Sequence, residues 1–313
     1  MRRIAVVHHG SSKSSALAAL RQGLYRRGWI EGETCSIDSA GAAGQWTQLP
    51  GLIGRLLRGQ PDVLVAIGGL AALSAQNATS DVPILHAIVL DPLDIGLAAP
   101  NVSGVTTFDP SQAARHLRLL LQLVPGLRTL GCLTDAEAPK GRNGCNPLES
   151  QLARAAAAQG IELICTSVSG LENGLEDLFD AVVRGGAQAL VALEVPAVLS
   201  RLAAISVLAD RYRLPLLSPY GWPEGGVVMQ GESLHDAIDP LADVVACLLG
   251  ATTVPDLPLR AVRHDRLVVH CGRARRIGLQ IPGSMLDEAT VCIDDPARDH
   301  ASGLPLLEKN LRP

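Results

Sequence analysis

Short apolar runs alternate with amphipathic stretches along the first third of the chain. The strand-like runs are Ile4 to Val7, Cys35 to Ser39, Val63 to Ile67 and Ile84 to Ile88. Helical periodicity between them covers Ser14 to Arg27, Leu49 to Leu57 and Leu70 to Asn77. Strands that alternate with helices are typical of a parallel sheet covered by helices on both faces. The pattern therefore predicts an α/β, doubly wound fold.

The same plan returns further along the chain. It predicts strand Thr129 to Leu133, helix Leu148 to Gln159, strand Ile161 to Thr166, helix Leu171 to Arg184, strand Ala189 to Leu193, helix Ala197 to Tyr212 and strand Pro215 to Leu217. The runs Leu64 to Gly69 and Leu190 to Val195 occupy equivalent places, because each is a buried strand that leads into a helix start. This is a repeat of topology rather than of sequence. The length of 313 residues fits two such lobes of roughly 150 residues each.

Composition narrows the class of protein. With 47% hydrophobic and 19% charged residues, the chain has the composition of a globular protein. Its net charge of -4 lacks the excess of basic residues that is typical of proteins that bind nucleic acid. Aromatic residues make up only 3%, so a pocket has few rings to stack on a ligand. Apolar runs fall short of the roughly eighteen residues of a membrane helix. The N-terminus is too short in apolar residues for a signal peptide, so either the chain is cytosolic or an export signal has been removed from it.

Cysteine and catalytic patterns favour a protein without metal, cofactor or enzymatic activity. The seven cysteines are scattered and lack CxxC spacing, which is typical of buried thiols; Cys132 and Cys145 are the one pair that we would test for a bridge. His8, His9 and His86 lack a companion at metal-ligand spacing. No Walker loop, GxGxxG, GxSxG or HExxH motif occurs.

A series of short motifs follows in order through most of the chain. They are Arg27 to Gly32, Pro61 to Ala66, Ala78 to Ile84, Asp91 to Leu97, Asn101 to Val105, Arg213 to Pro215, Gly225 to Met229, Leu248 to Gly250, Asp256 to Pro258 and Ala274 to Pro282. In this order they resemble the ABC transporter substrate-binding family that includes the tryptophan-binding lipoproteins of bacteria. The resemblance implies a type I periplasmic-binding-protein fold, in which two lobes joined by a three-segment hinge hold a ligand between them.

The resemblance also implies an organisation and partners. Residues 1–108 with about 231–252 would form the N-terminal lobe, and 109–230 with about 253–313 the C-terminal lobe. The partners would be a small-molecule ligand and the membrane subunits of an ABC permease, with the protein monomeric and extracytoplasmic. The alternative is a cytosolic ligand-sensing domain of the same fold. Two departures near the expected cleft, the short loop Ala99 to Asn101 and the acid Asp94, mean that the family's ligand is not carried over.

Ligands of doubly wound sheets bind beyond the carboxyl ends of the strands. In the first lobe this rule selects His8, His9, Ser11, Gly68, Gly69 and Asp91. Each has a structural alternative: the serine caps a helix, the histidines pack at the strand end, the glycines allow tight packing, and Asp91 before Pro92 is an N-cap. If the glycine amides are open, they form an anion site at a helix N-terminus.

In the second lobe the same rule selects Thr134, Asp135, Glu194, Ser218, Tyr220 and Trp222. Glu194 ends an apolar strand, where an acid requires a cationic ligand group or a basic neighbour, unless it caps the helix that starts near Pro196. Tyr220 and Trp222 either stack on a ligand or cover the edge of the lobe. Acids in one lobe and amide donors in the other predict an amino acid or a similar amine-carboxylate as ligand.

Overall fold

The computed structural model describes residues 1–8, 15–169, 174–219, 225–231, 234–251, 259–261 and 266–294. The chain divides into two compact units. Unit 1 consists of Met1–Asp109, Pro139–Pro147 and Ser233–Arg263, and unit 2 of Pro110–Ala138, Leu148–Glu232 and His264–Pro313. The short segment Pro139–Pro147 belongs to unit 1, although the residues on both sides of it along the chain belong to unit 2.

Strands and helices alternate as the sequence pattern predicts. The strands are β1 (Arg2–His8), β2 (Cys35–Gly41), β3 (Val63–Ile67), β4 (Ile84–Val89), β5 (Val102–Thr106), β6 (Thr129–Thr134), β7 (Glu162–Ser167), β8 (Ala189–Ala192), β9 (Leu216–Pro219), β10 (Val228–Gln230), β11 (Arg260–Ala261), β12 (Leu267–His270) and β13 (Val291–Ile293). The α-helices are α1 (Ser15–Arg26), α2 (Leu49–Arg58), α3 (Gly69–Ala78), α4 (Gln112–Leu123), α5 (Pro147–Ala158), α6 (Leu175–Arg184), α7 (Pro196–Leu199), α8 (Leu202–Arg211), α9 (Leu234–Gly250), α10 (Cys271–Arg276) and α11 (Gly283–Glu288).

Each unit contains one sheet, and the two sheets share a strand order. Unit 1 has the order β11-β5-β4-β3-β1-β2, with parallel pairing throughout. Unit 2 has the order β13-β12-β10-β9-β8-β6-β7, in which only the β10–β12 pair is antiparallel. The series β2-β1-β3-β4-β5 therefore recurs as β7-β6-β8-β9-β10. This confirms the predicted doubly wound α/β fold and its duplicated topology.

The sheet of unit 1 is buried on both faces. Ile4 and Val6 of β1 join an apolar cluster with α1 and α9, whereas Ala5 and Val7 join a second cluster with α2 and α3. Successive side chains of a strand point to opposite faces, so burial of both faces requires an unbroken apolar run. That requirement explains why the strands read as continuous apolar segments in the sequence.

The helix predicted from Ala197 to Tyr212 is wrong, because the structure has two helices there. α7 ends at Leu199 and α8 begins at Leu202. At the break, Ser200 Oγ donates to the Ala197 carbonyl at 3.1 Å, and Arg201 Nη1 donates to the Val168 carbonyl at 2.7 Å. Side chains that bond locally to the backbone compete with helix continuation. The apolar periodicity continues across the interruption and conceals it.

Strand β4 carries an irregularity at its carboxyl end. Its pairing with β5 shifts register between His86 and Val89, and Ile88 has a φ of 54°. A β-branched residue in the left-handed region is an outlier that the surrounding packing must hold in place. As a result Ala87 and Ile88 both contact the cluster on the α1 and α9 face, although they are neighbours in a strand.

Across the described residues, the helices lack the length and apolar content needed to span a bilayer.

Candidate functional site

The shared strand order defines one switch point in each sheet. In the order 2-1-3-4-5, the connections leave the first and third strands in opposite directions, and a crevice opens at the carboxyl ends of these two strands. In unit 1 the strands at the switch point are β1, which ends at His8, and β3, which is followed by Gly68. In unit 2 they are β6, which ends at Thr134, and β8, which Leu193 and Glu194 follow. Candidate residues from the sequence thus flank both switch points.

His8 is a buried histidine at the end of β1. Its side chain is 1% exposed, and neither ring nitrogen has a hydrogen-bond partner among the described residues. Burial lowers the pKa of the imidazole, so the ring is neutral near neutral pH. A neutral imidazole donates from one nitrogen and accepts at the other. The ring is therefore equipped to bind either a donor or an acceptor of a ligand. His9 and Ser11 lie outside the described residues.

Gly68 and Gly69 form the start of α3. Gly68 is the N-cap, with φ 100° and ψ 150°, and its N–H donates to the Ala87 carbonyl at 2.9 Å. Side chains are excluded from this backbone region, so glycine is required there. At Gly69 an added Cβ would lie 2.8 Å from Pro139 Cγ, so this glycine permits close packing. Both glycines thus have structural roles, and the first amides of α3 still lie at the positive end of the helix without intrahelical acceptors.

Asp91 and Asp94 organise the turn that follows β4. Asp91 Oδ1 accepts the N–H of Asp94 at 3.1 Å, which is the capping contact that the sequence left open as an alternative to ligand binding. Asp94 Oδ1 in turn accepts the N–H of Arg142 at 3.2 Å. The acid at position 94 therefore attaches the Pro139–Pro147 segment to unit 1. Sequence reasoning noted this acid as unusual but could not identify its partner, which is distant along the chain.

The turn after β6 holds a buried acid. Thr134 Oγ1 donates to Glu149 Oε2 at 3.1 Å. Asp135 is 5% exposed, and its Oδ1 accepts the N–H of Glu137 at 3.0 Å. Its other oxygen, Oδ2, is buried and has no partner within the described part of the chain. A buried carboxylate oxygen without a partner is costly, so a cationic or donor group of a ligand would stabilise it.

Glu194 and Ser218 lie near the carboxyl ends of the neighbouring strands β8 and β9 and differ in burial. Glu194 is half-buried directly after β8, and the N-cap of α7 is Val195, without a side-chain capping bond. The alternative role of Glu194 as a helix cap is therefore not what the structure has. Ser218 is fully buried within β9, where its Oγ accepts the N–H of Gly226 at 2.9 Å. Tyr220 and Trp222 lie outside the described residues.

The described residues contain no group of three or more histidine, cysteine and acidic side chains arranged to hold a metal ion. His86 is 1% exposed in β4, and burial is the main cause that lowers its pKa to about 4. Opposite His86 lies Gly104, where an added Cβ would come within 2.1 Å of the His86 carbonyl oxygen. These contacts assign His86 to the core of the sheet.

Comparisons with known proteins agree with the fold. The family described as ABC transporter substrate binding protein matches residues 3–293, so the chain belongs to that family. It is 20% identical over 269 residues to the tyrosine-binding protein of Clostridioides difficile strain R20291, covering 81% of this chain and 74% of that protein.

Two solved structures extend the comparison to the fold. One is a conserved domain protein of Vibrio cholerae, with a TM-score of 0.80 and 23% identity over 93% of this chain and 99% of the other. The second is an ABC domain from Streptococcus pneumonia in complex with L-Trp, with a TM-score of 0.80 and 19% identity over the same shares. At these identities the likeness shows the fold alone, which is the type I periplasmic-binding-protein fold. The match is to a family of binding proteins rather than of enzymes.

Proposed function

We propose that this chain is the solute-binding protein of an ABC-type importer, and that it binds an amino acid or a similar small amine-carboxylate by closure of its two units on the ligand. The observation that carries the proposal is that, at equivalent switch points, one unit has groups that favour an anion and the other has groups that favour a cation. Unit 1 offers a helix N-terminus and a neutral buried histidine, and unit 2 offers a buried carboxylate with one oxygen that has no partner among the described residues. Family membership supports the transport role and an ABC permease as the partner.

The charges assign each end of the ligand. The first amides of α3, beginning at Gly69, favour an anion because they lie at the positive end of the helix. We assign them the ligand carboxylate, with His8 as a supporting donor. Asp135 Oδ2 and the half-buried Glu194 favour a cation, and we assign them the ligand amine. A ligand with only one of these charges would interact with the groups of one unit and leave those of the other unit without a ligand group of opposite charge.

The ligands of similar proteins suggest which ligand side chains to test first. A tyrosine-binding protein and a complex with L-Trp point to aromatic amino acids as the first compounds to test. Tyr220 and Trp222 remain the sequence's candidates for stacking on such a ring.

A thermal-shift and calorimetric screen tests the proposal. L-tryptophan, L-tyrosine and L-leucine are compared with tryptamine, which lacks the carboxylate, and indole-3-propionate, which lacks the amine. A true ligand at 100 times its Kd stabilises the folded state by about 2.7 kcal/mol. We expect stabilisation by at least one zwitterion and little by the two analogues. Equal stabilisation by tryptamine and by its parent amino acid would contradict the carboxylate assignment.

One substitution and its control test the amine assignment. Asp135→Asn keeps the size of the side chain and removes its charge, so affinity for the amino acid should fall on the order of 10- to 100-fold. Asp177→Asn, at an exposed acid of α6 in the same unit, should leave the affinity unchanged. Closure is tested by small-angle scattering, in which the ligand should reduce the radius of gyration. An unchanged radius with a bound ligand would refute the closure mechanism.

A further inference from the structure

Two cysteines lie side by side on neighbouring strands of unit 2. In the parallel pair β6 and β7, Cys132 is the register partner of Cys165. Neighbouring strands lie about 4.7–4.9 Å apart, which is within the Cα separation of roughly 4.4–6.8 Å that a disulfide spans. Register partners in a parallel pair also present their side chains on the same face of the sheet. The strand spacing and the shared face therefore meet two of the requirements for a bridge between these residues.

The two thiols differ in accessibility and in electronic character. Cys132 is fully buried on the inner strand β6, whereas Cys165 is exposed on β7, the edge strand of the sheet. The Cys132 thiol donates a hydrogen bond to Cys165, which lowers the pKa of Cys165 and raises the pKa of Cys132. Glu149 also hydrogen-bonds Cys165 and acts in the opposite direction. Both cysteines are free thiols in this structure. Cys165 is thus the cysteine of the pair that an oxidant reaches first.

We propose that Cys165 and Cys132 form a redox-active pair, in which a hydroperoxide oxidises Cys165 and Cys132 then closes a disulfide across β6 and β7. In the first step the Cys165 thiolate attacks the peroxide. An S–O bond forms, the O–O bond breaks, and the departing oxygen takes up a proton as water or an alcohol. In the second step the Cys132 sulfur attacks the sulfenic sulfur, so the S–S bond forms, the S–O bond breaks and water leaves. The two thiols supply the two electrons that reduce the peroxide.

The bridge would lie next to the candidate amine site. Two residues further along the strands are Thr134 and Ser167, which are also register partners. Ser167 Oγ accepts the N–H of Ala136 at 2.9 Å, so it helps to hold the turn that carries Asp135. Oxidation would cross-link the two strands one pleat before this turn. The inference does not depend on the ligand, because the geometry of the thiols is independent of the site's occupant.

Peptide mapping of the full chain tests the inference. The reduced protein is treated with hydrogen peroxide, free thiols are blocked, and the digest is analysed by mass spectrometry without reduction. We expect a linked peptide that contains Cys132 and Cys165 and that disappears on treatment with dithiothreitol. Cys165→Ser should abolish it. Cys247→Ser, which removes another exposed cysteine in α9 of unit 1, should leave it unchanged.

A second variant separates the two steps. In Cys132→Ala the resolving thiol is missing, so Cys165 should accumulate as a sulfenic acid that dimedone traps. If this variant does not fold, the peptide map of the unsubstituted chain is the test of the proposal. Oxidation of Cys165 while Cys132 keeps a free thiol would overturn the proposal, and so would oxidation of Cys247 at the same rate as Cys165.

Discussion

Replacement of Gly68 by alanine tests the backbone at the start of α3. The residue has φ 100° and ψ 150°, a combination that costs a residue with a Cβ about 1–3 kcal/mol. Relief of this strain would displace the N–H that donates to the Ala87 carbonyl, and loss of that hydrogen bond adds about 0.5–1.5 kcal/mol. We therefore expect Gly68→Ala to lower the free energy of unfolding by about 1.5–4.5 kcal/mol.

Thermal unfolding followed by circular dichroism measures this effect. A loss of this size should lower the melting temperature by roughly 3–18 °C. The matched control is Gly54→Ala, in the middle of α2, where an added Cβ meets no atom within 4 Å. That change should stabilise the protein by about 0.5–1 kcal/mol, because alanine is the better helix former. Equal melting temperatures for the two variants would refute the backbone conformation assigned to Gly68.

Three further predictions follow from described contacts. Gly104→Ala should yield little folded protein on expression, because its Cβ would lie 2.1 Å from the His86 carbonyl oxygen and only backbone movement relieves that contact. Asp94→Ala should lower the free energy of unfolding by about 1–2 kcal/mol, measured in urea, because the Arg142 N–H loses its acceptor; an unchanged urea midpoint would contradict this anchoring role. The hydrogen bond from Arg27 lowers the pKa of Asp239 from 3.8 to about 2, so its stabilisation is present above pH 3.8 and is lost as the pH falls through about 2. Asp239→Asn should therefore lose less stability over that range than the parent chain, and identical pH profiles would count against this ion pair.

The local pattern of apolar and polar residues was sufficient to predict most strands and the fold class. Val63–Ile67 has the predicted limits, because an unbroken apolar run between turn residues leaves few alternatives. The right-handed crossover rule limits the strand orders that such a pattern can adopt, but the observed order comes from the structure. The switch-point residues His8, Gly68, Asp135 and Glu194 could be named in advance because the rule that selects them is topological.

Features that depend on distant partners were not predictable. The role of Asp94 requires knowledge that Arg142 lies beside it, and the cysteine pair requires the register of β6 against β7. The sequence drew attention to Cys132 with Cys145, but these two residues belong to different units. The Asp135 oxygen that has no partner within the described ranges is likewise a consequence of how the turn folds around its other oxygen. Composition and spacing contain none of this information.

Helix α9 is synthesised long after the strands of the sheet that it covers. Ile238, Leu241 and Val245 of this helix pack in the same cluster as Val6 and Val65 of the first sheet. A ribosome therefore produces all the strands β1 to β5 long before the helix that covers one of their faces. Until residue 250 has emerged, α1 alone covers that face, and the apolar surface that α9 will cover stays exposed on the nascent chain, which favours aggregation. A fragment that ends at Asp109 should consequently be insoluble, although it contains nearly the whole sheet of unit 1.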